Sequence, residues 1–118
     1  MSLPNIRKEK ELELQDLSNQ YQQLSQAYSS VRSQLSQLEL ELREIENALT
    51  ELKKVPGETE VFKRTGSILI KKQASEVITE LDAKKEILEV RVKRYKNQQT
   101  QLEQQLQKLQ TTIQQKLS

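Results

Sequence analysis

The 118-residue sequence contains no Cys, no His and no Trp. Without cysteine there is no disulfide framework, no thiol nucleophile and no thiolate metal site, and a reducing compartment is expected. Without histidine, the commonest general base and the commonest transition-metal ligand are both missing. One Phe and three Tyr are the only aromatics, and hydrophobic residues make up just 34%. That is too little large apolar material to fill the core of a compact globule of this length. The longest strongly apolar run is Ile68-Leu69-Ile70, far short of a membrane span. The opening residues, Met1 to Lys8, lack the apolar segment of a secretory signal, so a soluble, cytoplasmic protein is expected. Charge of one sign is also scarce. The balance of 19 Lys+Arg against 17 Asp+Glu leaves +2, which gives no electrostatic footprint for nucleic acid.

Glycine and proline number two each. Pro4 sits where its fixed φ suits a first helical turn, while Pro56, Gly57 and Gly66 cluster in the middle. Two breaker-free arms flank an irregular centre. The chain is rich in Leu (18) and Gln (17), a composition typical of long helices with a narrow apolar stripe. In the first arm Leu14, Leu17, Tyr21, Leu24, Tyr28, Val31, Leu35, Leu38, Leu42, Ile45, Leu49 and Leu52 are spaced alternately three and four residues apart. This is an unbroken heptad seam, with Leu14, Tyr21, Tyr28, Leu35, Leu42 and Leu49 at a positions.

The second arm continues the pattern with Ile78, Leu81, Leu88, Val92, Tyr95, Leu102, Leu106, Leu109 and Ile113. Lys85 and Gln99 interrupt it at a positions, where polar residues fix register at some cost in stability. Ser75 is the expected N-cap, with Glu76 and Glu80 near the positive end of the helix dipole. Equal arms joined by a short centre point to an antiparallel two-helix coiled coil. With Leu49 facing Leu81, the charges would match Arg32 with Glu103, Glu39 with Lys96 and Lys53 with Asp82, leaving Glu46 against Glu89 as a mismatch. Such exposed pairs select register more than they create stability.

The centre is too long for a simple helical connection. The stretch Glu60-Val61-Phe62-Lys63-Arg64-Thr65-Gly66-Ser67-Ile68-Leu69-Ile70-Lys71-Lys72 reads as a β-hairpin with a three-residue turn, Arg64-Thr65-Gly66. That register pairs Lys63 with Ser67, Phe62 with Ile68 and Val61 with Leu69. Phe62, Ile68 and Ile70 would then share one face, and Val61 and Leu69 the other. A lone hairpin is marginal in water, and this one is apolar on both faces with both edges open. The expected solution is for hairpins from several chains to join into a shared sheet or barrel.

Other function classes fit poorly. Carboxylate pairs such as Glu39/Glu41 and Glu44/Glu46 have no cavity to shift their pKa values, so the chain is not expected to be an enzyme. No catalytic, cofactor or metal residues are assigned. The basic pairs are interspersed with acidic residues and lack aromatics, so neither nucleic acid nor a membrane surface is an expected partner. The competing reading is a structural coiled-coil scaffold or tether module of another assembly.

The central block, followed by Glu76-Val77-Ile78-x-Glu80-Leu81 and Leu88-Glu89-Val90-Arg91-Val92, resembles the β-class subunits of prefoldin in their archaeal form. Glu44-Ile45-Glu46-x-Ala48-Leu49-x-Glu51-Leu52 is similar to the end of that family's first helix. Phe62 stands where the family often has Tyr. The resemblance implies one prefoldin-like domain over 1–118: a first coiled-coil helix over about 5–53, linker and hairpin over 54–74, and a second helix over 75–117. It further implies a heterohexamer of two α-class and four β-class subunits, with the hairpins forming a β-barrel platform. Coiled-coil tips would capture unfolded proteins without ATP, prevent their aggregation and deliver them to a group II chaperonin. On this chain the implied assembly residues are Val61, Phe62, Gly66, Ile68, Leu69 and Ile70. The implied client-binding tips are Leu3, Ile6 and Leu12 on the first arm, and Leu109, Ile113 and Leu117 on the second. The second tip is mildly basic, with only Lys108 and Lys116 after Glu103.

Overall fold

The structure is a computed structural model describing residues 3–118, with side chains described from Ile6 onward. Helix α1 spans Leu3–Leu52, strands β1 and β2 span Glu60–Thr65 and Ile68–Gln73, and helix α2 spans Ala74–Leu117. The chain forms two compact units: the segment up to Gln34 with Tyr95–Ser118, and Leu35–Arg94.

The heptad seam decides which helical residues leave water. Every first-arm seam position from Leu14 to Leu52 is buried or half-buried, and most positions between them are exposed. On α2 the same holds from Ile78 to Ile113, with Lys85 and Gln99 half-buried in line with the apolar residues. In the unit of Leu35–Arg94 the core consists of Leu35, Leu38, Ile45 and Leu49 from α1 with Ala74, Val77, Leu88 and Val92 from α2. In the other unit the described seam residues are only half-buried. Two helices alone leave the flanks of each seam side chain open to water; at the hairpin end the linker and strand add cover around Ala74.

Within each unit the helices run antiparallel, but the expected charge pairs do not form among the described residues. Lys84 meets Glu41 at 3.2 Å and Lys116 meets Glu13 at 2.9 Å. The Tyr28 hydroxyl donates to Glu103 Oε1 at 3.0 Å, the carboxylate expected to meet Arg32. Gln99 Nε2 donates to the Tyr28 hydroxyl at 3.3 Å, linking two a positions across the seam. Long flexible side chains on an exposed flank can choose among several partners of similar energy, so heptad arithmetic does not determine the pair.

Strands β1 and β2 pair antiparallel with Thr65 opposite Ile68, Arg64 opposite Leu69, Lys63 opposite Ile70, Phe62 opposite Lys71 and Val61 opposite Lys72. The turn therefore has two residues, Gly66-Ser67, rather than three. Among the described residues Gly66 alone has positive φ, at 61°, as the first central position of a type II′ turn requires. Three residues separate the expected register from the observed one. With a side-chain period of two, an odd shift moves residues to the other face. Phe62 and Leu69 thus share one face, while Val61, Ile68 and Ile70 occupy the opposite one with Lys63 and Lys72.

The start of α2 also departs from expectation. Ser75 lies inside the helix rather than at its N-cap, and β2 leads directly into Ala74. The linker closes the helix end instead: Ala74 N–H donates to the Thr59 carbonyl at 2.8 Å, and Ser75 N–H to the Gly57 carbonyl at 2.9 Å. These bonds satisfy two of the amides that a helix N-terminus leaves free. Glu76 lies in the first turn, near the positive end of the dipole.

Candidate functional site

The hairpin presents the apolar surface the sequence leads one to expect. Phe62, Ile68 and Leu69 are 65%, 63% and 63% exposed, and Ile70 is also exposed. Val61 is half-buried. Gly66 holds the turn, and a Cβ there would meet nothing within 4 Å, so positive φ is the reason for glycine at this position. Phe62 and Leu69 form one uncovered apolar face; on the opposite face Ile68 and Ile70 are exposed toward the turn, while Val61 and Lys72 are half-buried on the side of α2.

Two lysines of the inner face tie the hairpin to α2. Lys63 Nζ lies 2.7 Å from Glu80 Oε2, and Lys72 Nζ pairs with Glu80 Oε1. Hydrogen bonds from Lys63 and then Lys72 hold the Glu80 carboxyl at about 2, well below its ordinary 4.5. On the outer face Lys71 pairs with Glu60 at 3.0 Å. Arg64, cross-strand partner of Leu69, is the one hairpin cation without an ion pair among the described residues. Beneath the hairpin, Ala48, Leu52, Val61, Val77 and Leu81 line an open-sided hollow of about 490 Å³.

In the other unit, Ile6, Leu12 and Leu117 are exposed and away from the seam, while Leu109 and Ile113 are half-buried within it. The Leu3 side chain lies outside the described residues. Lys116, at a seam position, turns outward to Glu13.

Periodicity does not single out the Glu80 clamp or the role of Ala74, which is 0% exposed where linker, strand and helix meet. An alanine carries no sequence signal of such packing. Also exposed off the seam are Leu40, Ile87 and Val90. Among the described residues no group of three or more His, Cys, Asp or Glu could hold a metal ion, and no helix is long and apolar enough to cross a membrane.

The fold and sequence have close parallels. A family model described as "Prefoldin subunit" matches residues 15–118. The chain is 36% identical over 105 residues to prefoldin subunit beta of Pyrobaculum calidifontis, covering 89% of this chain and 84% of that one. It is 41% identical over 68 residues to prefoldin subunit beta of Sulfolobus acidocaldarius, a match that spans about half of that relative's length, 54%. The match to its counterpart in Archaeoglobus fulgidus, 42% identical, spans 59% of that chain. The crystal structure of the prefoldin beta subunit from Thermococcus strain KS-1 superposes with a TM-score of 0.80 at 30% identity, covering 86% of this chain and 90% of that one. Sharing both the helix–hairpin–helix fold and the family pattern over residues 15–118, the chain belongs to the prefoldin family, as one of its β-class subunits.

Proposed function

We propose that this chain is one of four β-class subunits that join two α-class subunits in a prefoldin heterohexamer acting in the cytoplasm. The hairpins would build a β-barrel platform through Val61, Phe62, Gly66, Ile68, Leu69 and Ile70. The coiled-coil ends would hold unfolded proteins without ATP, keep them from aggregating and pass them to a group II chaperonin. The observation that carries this reading is the hairpin, whose Phe62, Ile68 and Leu69 stand in water on two opposite faces. A two-stranded sheet of this kind gains stability chiefly when other strands or helices cover it.

Capture at the tips follows from weak contacts repeated. Ile6, Leu12 and Leu117 are apolar and uncovered, and Leu109 and Ile113 become available where the seam opens. Burying about 100 Å² of apolar surface at about 25 cal/mol per Å² gives about 2.5 kcal/mol per tip before ordering entropy. Several tips on one client reach useful avidity, yet each contact still releases quickly.

The test is to mix the chain with an α-class prefoldin subunit, measure the native mass, and follow the aggregation of a denatured client without nucleotide. A discrete complex of four copies with two partners that suppresses aggregation is expected. Removing residues 1–12 and 109–118 should abolish suppression while the complex persists. Suppression that survives this truncation would refute the tip mechanism.

A further inference from the structure

The hollow beneath the hairpin has a shape and a polar rim for which the same chain carries the counterpart. Its floor is apolar, made by Ala48, Leu52, Val61, Val77 and Leu81, with Glu51 at the rim. The other rim charges are engaged: Lys63 with Glu80 and Lys84 with Glu41. Among the described residues Glu51 meets only Lys54, one helical turn away, and both side chains are more than half exposed. Such a pair contributes little and exchanges readily.

At the far end of the hairpin, Leu69 and Arg64 are cross-strand partners on one face, and Leu69 is uncovered. Arg64 has no ion pair among the described residues, whereas Lys63, Lys71 and Lys72 each have one. The hairpin end is thus a leucine with a free guanidinium beside it. The hollow is an apolar recess with a loosely held carboxylate beside it.

We propose that the hollow receives the hairpin end of a second copy of this chain, Leu69 entering the recess and Arg64 pairing with Glu51. The inference rests on the reading of the hairpin as an assembly element and names the surface that one hairpin offers the next. Charge complementarity selects the occupant: the Arg64 guanidinium beside Leu69 matches the exposed Glu51 carboxylate of the recess, and knob and recess both lie on the unit Leu35–Arg94. The contact is head to tail, so each copy gives a knob and takes one, and the arrangement must close or be ended by a subunit lacking one half. Phe62, which also lines the recess, links it to the exposed outer face of the hairpin.

The absence of cysteine makes the test direct. Full-length Ala48→Cys and Leu69→Cys chains are purified separately, mixed without any partner subunit and oxidised mildly. Ala48→Cys is also mixed with Gln104→Cys, a position on the other unit. The 48–69 disulfide is expected to form faster than the 48–104 one by a factor on the order of a hundred, since docked thiols meet at roughly millimolar effective concentration. Arg64→Glu in the Leu69→Cys chain should remove the advantage, and Glu51→Arg in the Ala48→Cys chain should restore it. Restoration by charge reversal separates docking from a folding defect. Equal rates for the two pairs, or an advantage indifferent to both charge changes, would overturn the proposal. Because the linkage is read on this chain alone, a complex that forms with α-class subunits while the rates stay equal refutes the docking and leaves the prefoldin reading standing. Absence of that complex refutes the prefoldin reading instead.

Discussion

Lys63 on β1 and Glu80 on α2 are joined by an ion pair of 2.7 Å, and Lys72 from β2 holds the other oxygen of the same carboxylate. One glutamate therefore fastens both strands to the helix that follows them. The residues are 17 and 8 positions away in sequence, so the clamp sets the hairpin's orientation on its own helix.

The clamp should open in acid. The Glu80 carboxyl is lowered from 4.5 to about 2, first by the Lys63 hydrogen bond and then by the one from Lys72. A carboxylate depressed by folding adds stability that is present above its unfolded value and is lost as pH falls through the folded one. The expected loss therefore lies between pH 4.5 and about 2, with none near neutrality. A carboxyl titration of Glu80 by NMR should show a midpoint far below 4.5, and Lys63→Ala should raise it more than Lys72→Ala. An unshifted midpoint in the parent chain would contradict the clamp.

Phe62→Asp should block assembly without unfolding the helices. Phe62 is mostly exposed, so the isolated chain loses little burial, and the far-UV helical signal should stay as it is. In a shared sheet, a carboxylate at this position would be buried without a partner, which is strongly unfavourable. Complex formation with α-class subunits should fall below detection by native mass measurement. A full complex carrying Asp at position 62 would show that this face stays open to water.

Ala74→Leu should destabilise the chain by about 1–3 kcal/mol through overpacking. Ala74 is wholly enclosed, and its N–H is committed to the Thr59 carbonyl, so neither backbone nor side chain can move aside freely. Gly57 is part of the same junction: a Cβ there would sit 3.4 Å from Ser75 Cβ. A urea melt of Ala74→Leu that overlays the parent would show slack in this junction.

The seam was legible in the sequence because a coiled coil writes its geometry as a repeat, and Leu14 to Leu52 show it without a miss. The hairpin was legible as an element because a β-branched run surrounds Gly66, but its register was not. A three-residue turn ending in Gly66 and a two-residue turn beginning with it both place that glycine at positive φ. Glu80 selects between them through contact: only the observed register puts Lys63 and Lys72 on the face toward α2. Ser75 looked like an N-cap because local rules favour serine there, but the Gly57 and Thr59 carbonyls come from across the linker. Exposed tip leucines such as Leu117 could be located as off-seam residues, whereas what they bind is not a property of spacing.

Seam leucines should differ in value between the two units. Leu49 is 4% exposed, and Leu49→Ala should cost about 2–5 kcal/mol, since a cavity forms where packed chain cannot follow. Leu24 is only half-buried, and Leu24→Ala should cost about 1 kcal/mol, because its methyl groups are partly hydrated already. Equal shifts in urea midpoint for the two variants would mean that the deeper burial of Leu49 adds nothing to its worth.

Gln99→Leu should raise the melting temperature. Gln99 occupies an a position, half-buried, where its one inter-helix bond is a long one to the Tyr28 hydroxyl, 3.3 Å. Replacing it by Leu removes that weak bond but leaves Tyr28 donating to Glu103 at 3.0 Å, so no buried polar group is stranded. The gain from an apolar a residue is about 1 kcal/mol, or about 4–8 °C for a chain of this size. The loss would appear in specificity, because a polar a residue penalises every register that places it against a leucine. Disulfides between single cysteines placed on α1 and α2 report the register: the parent chain should favour one pairing, and Gln99→Leu should admit its heptad-shifted neighbours. A lower melting temperature in the variant would show instead that the Gln99–Tyr28–Glu103 chain of hydrogen bonds stabilises this part of the coil.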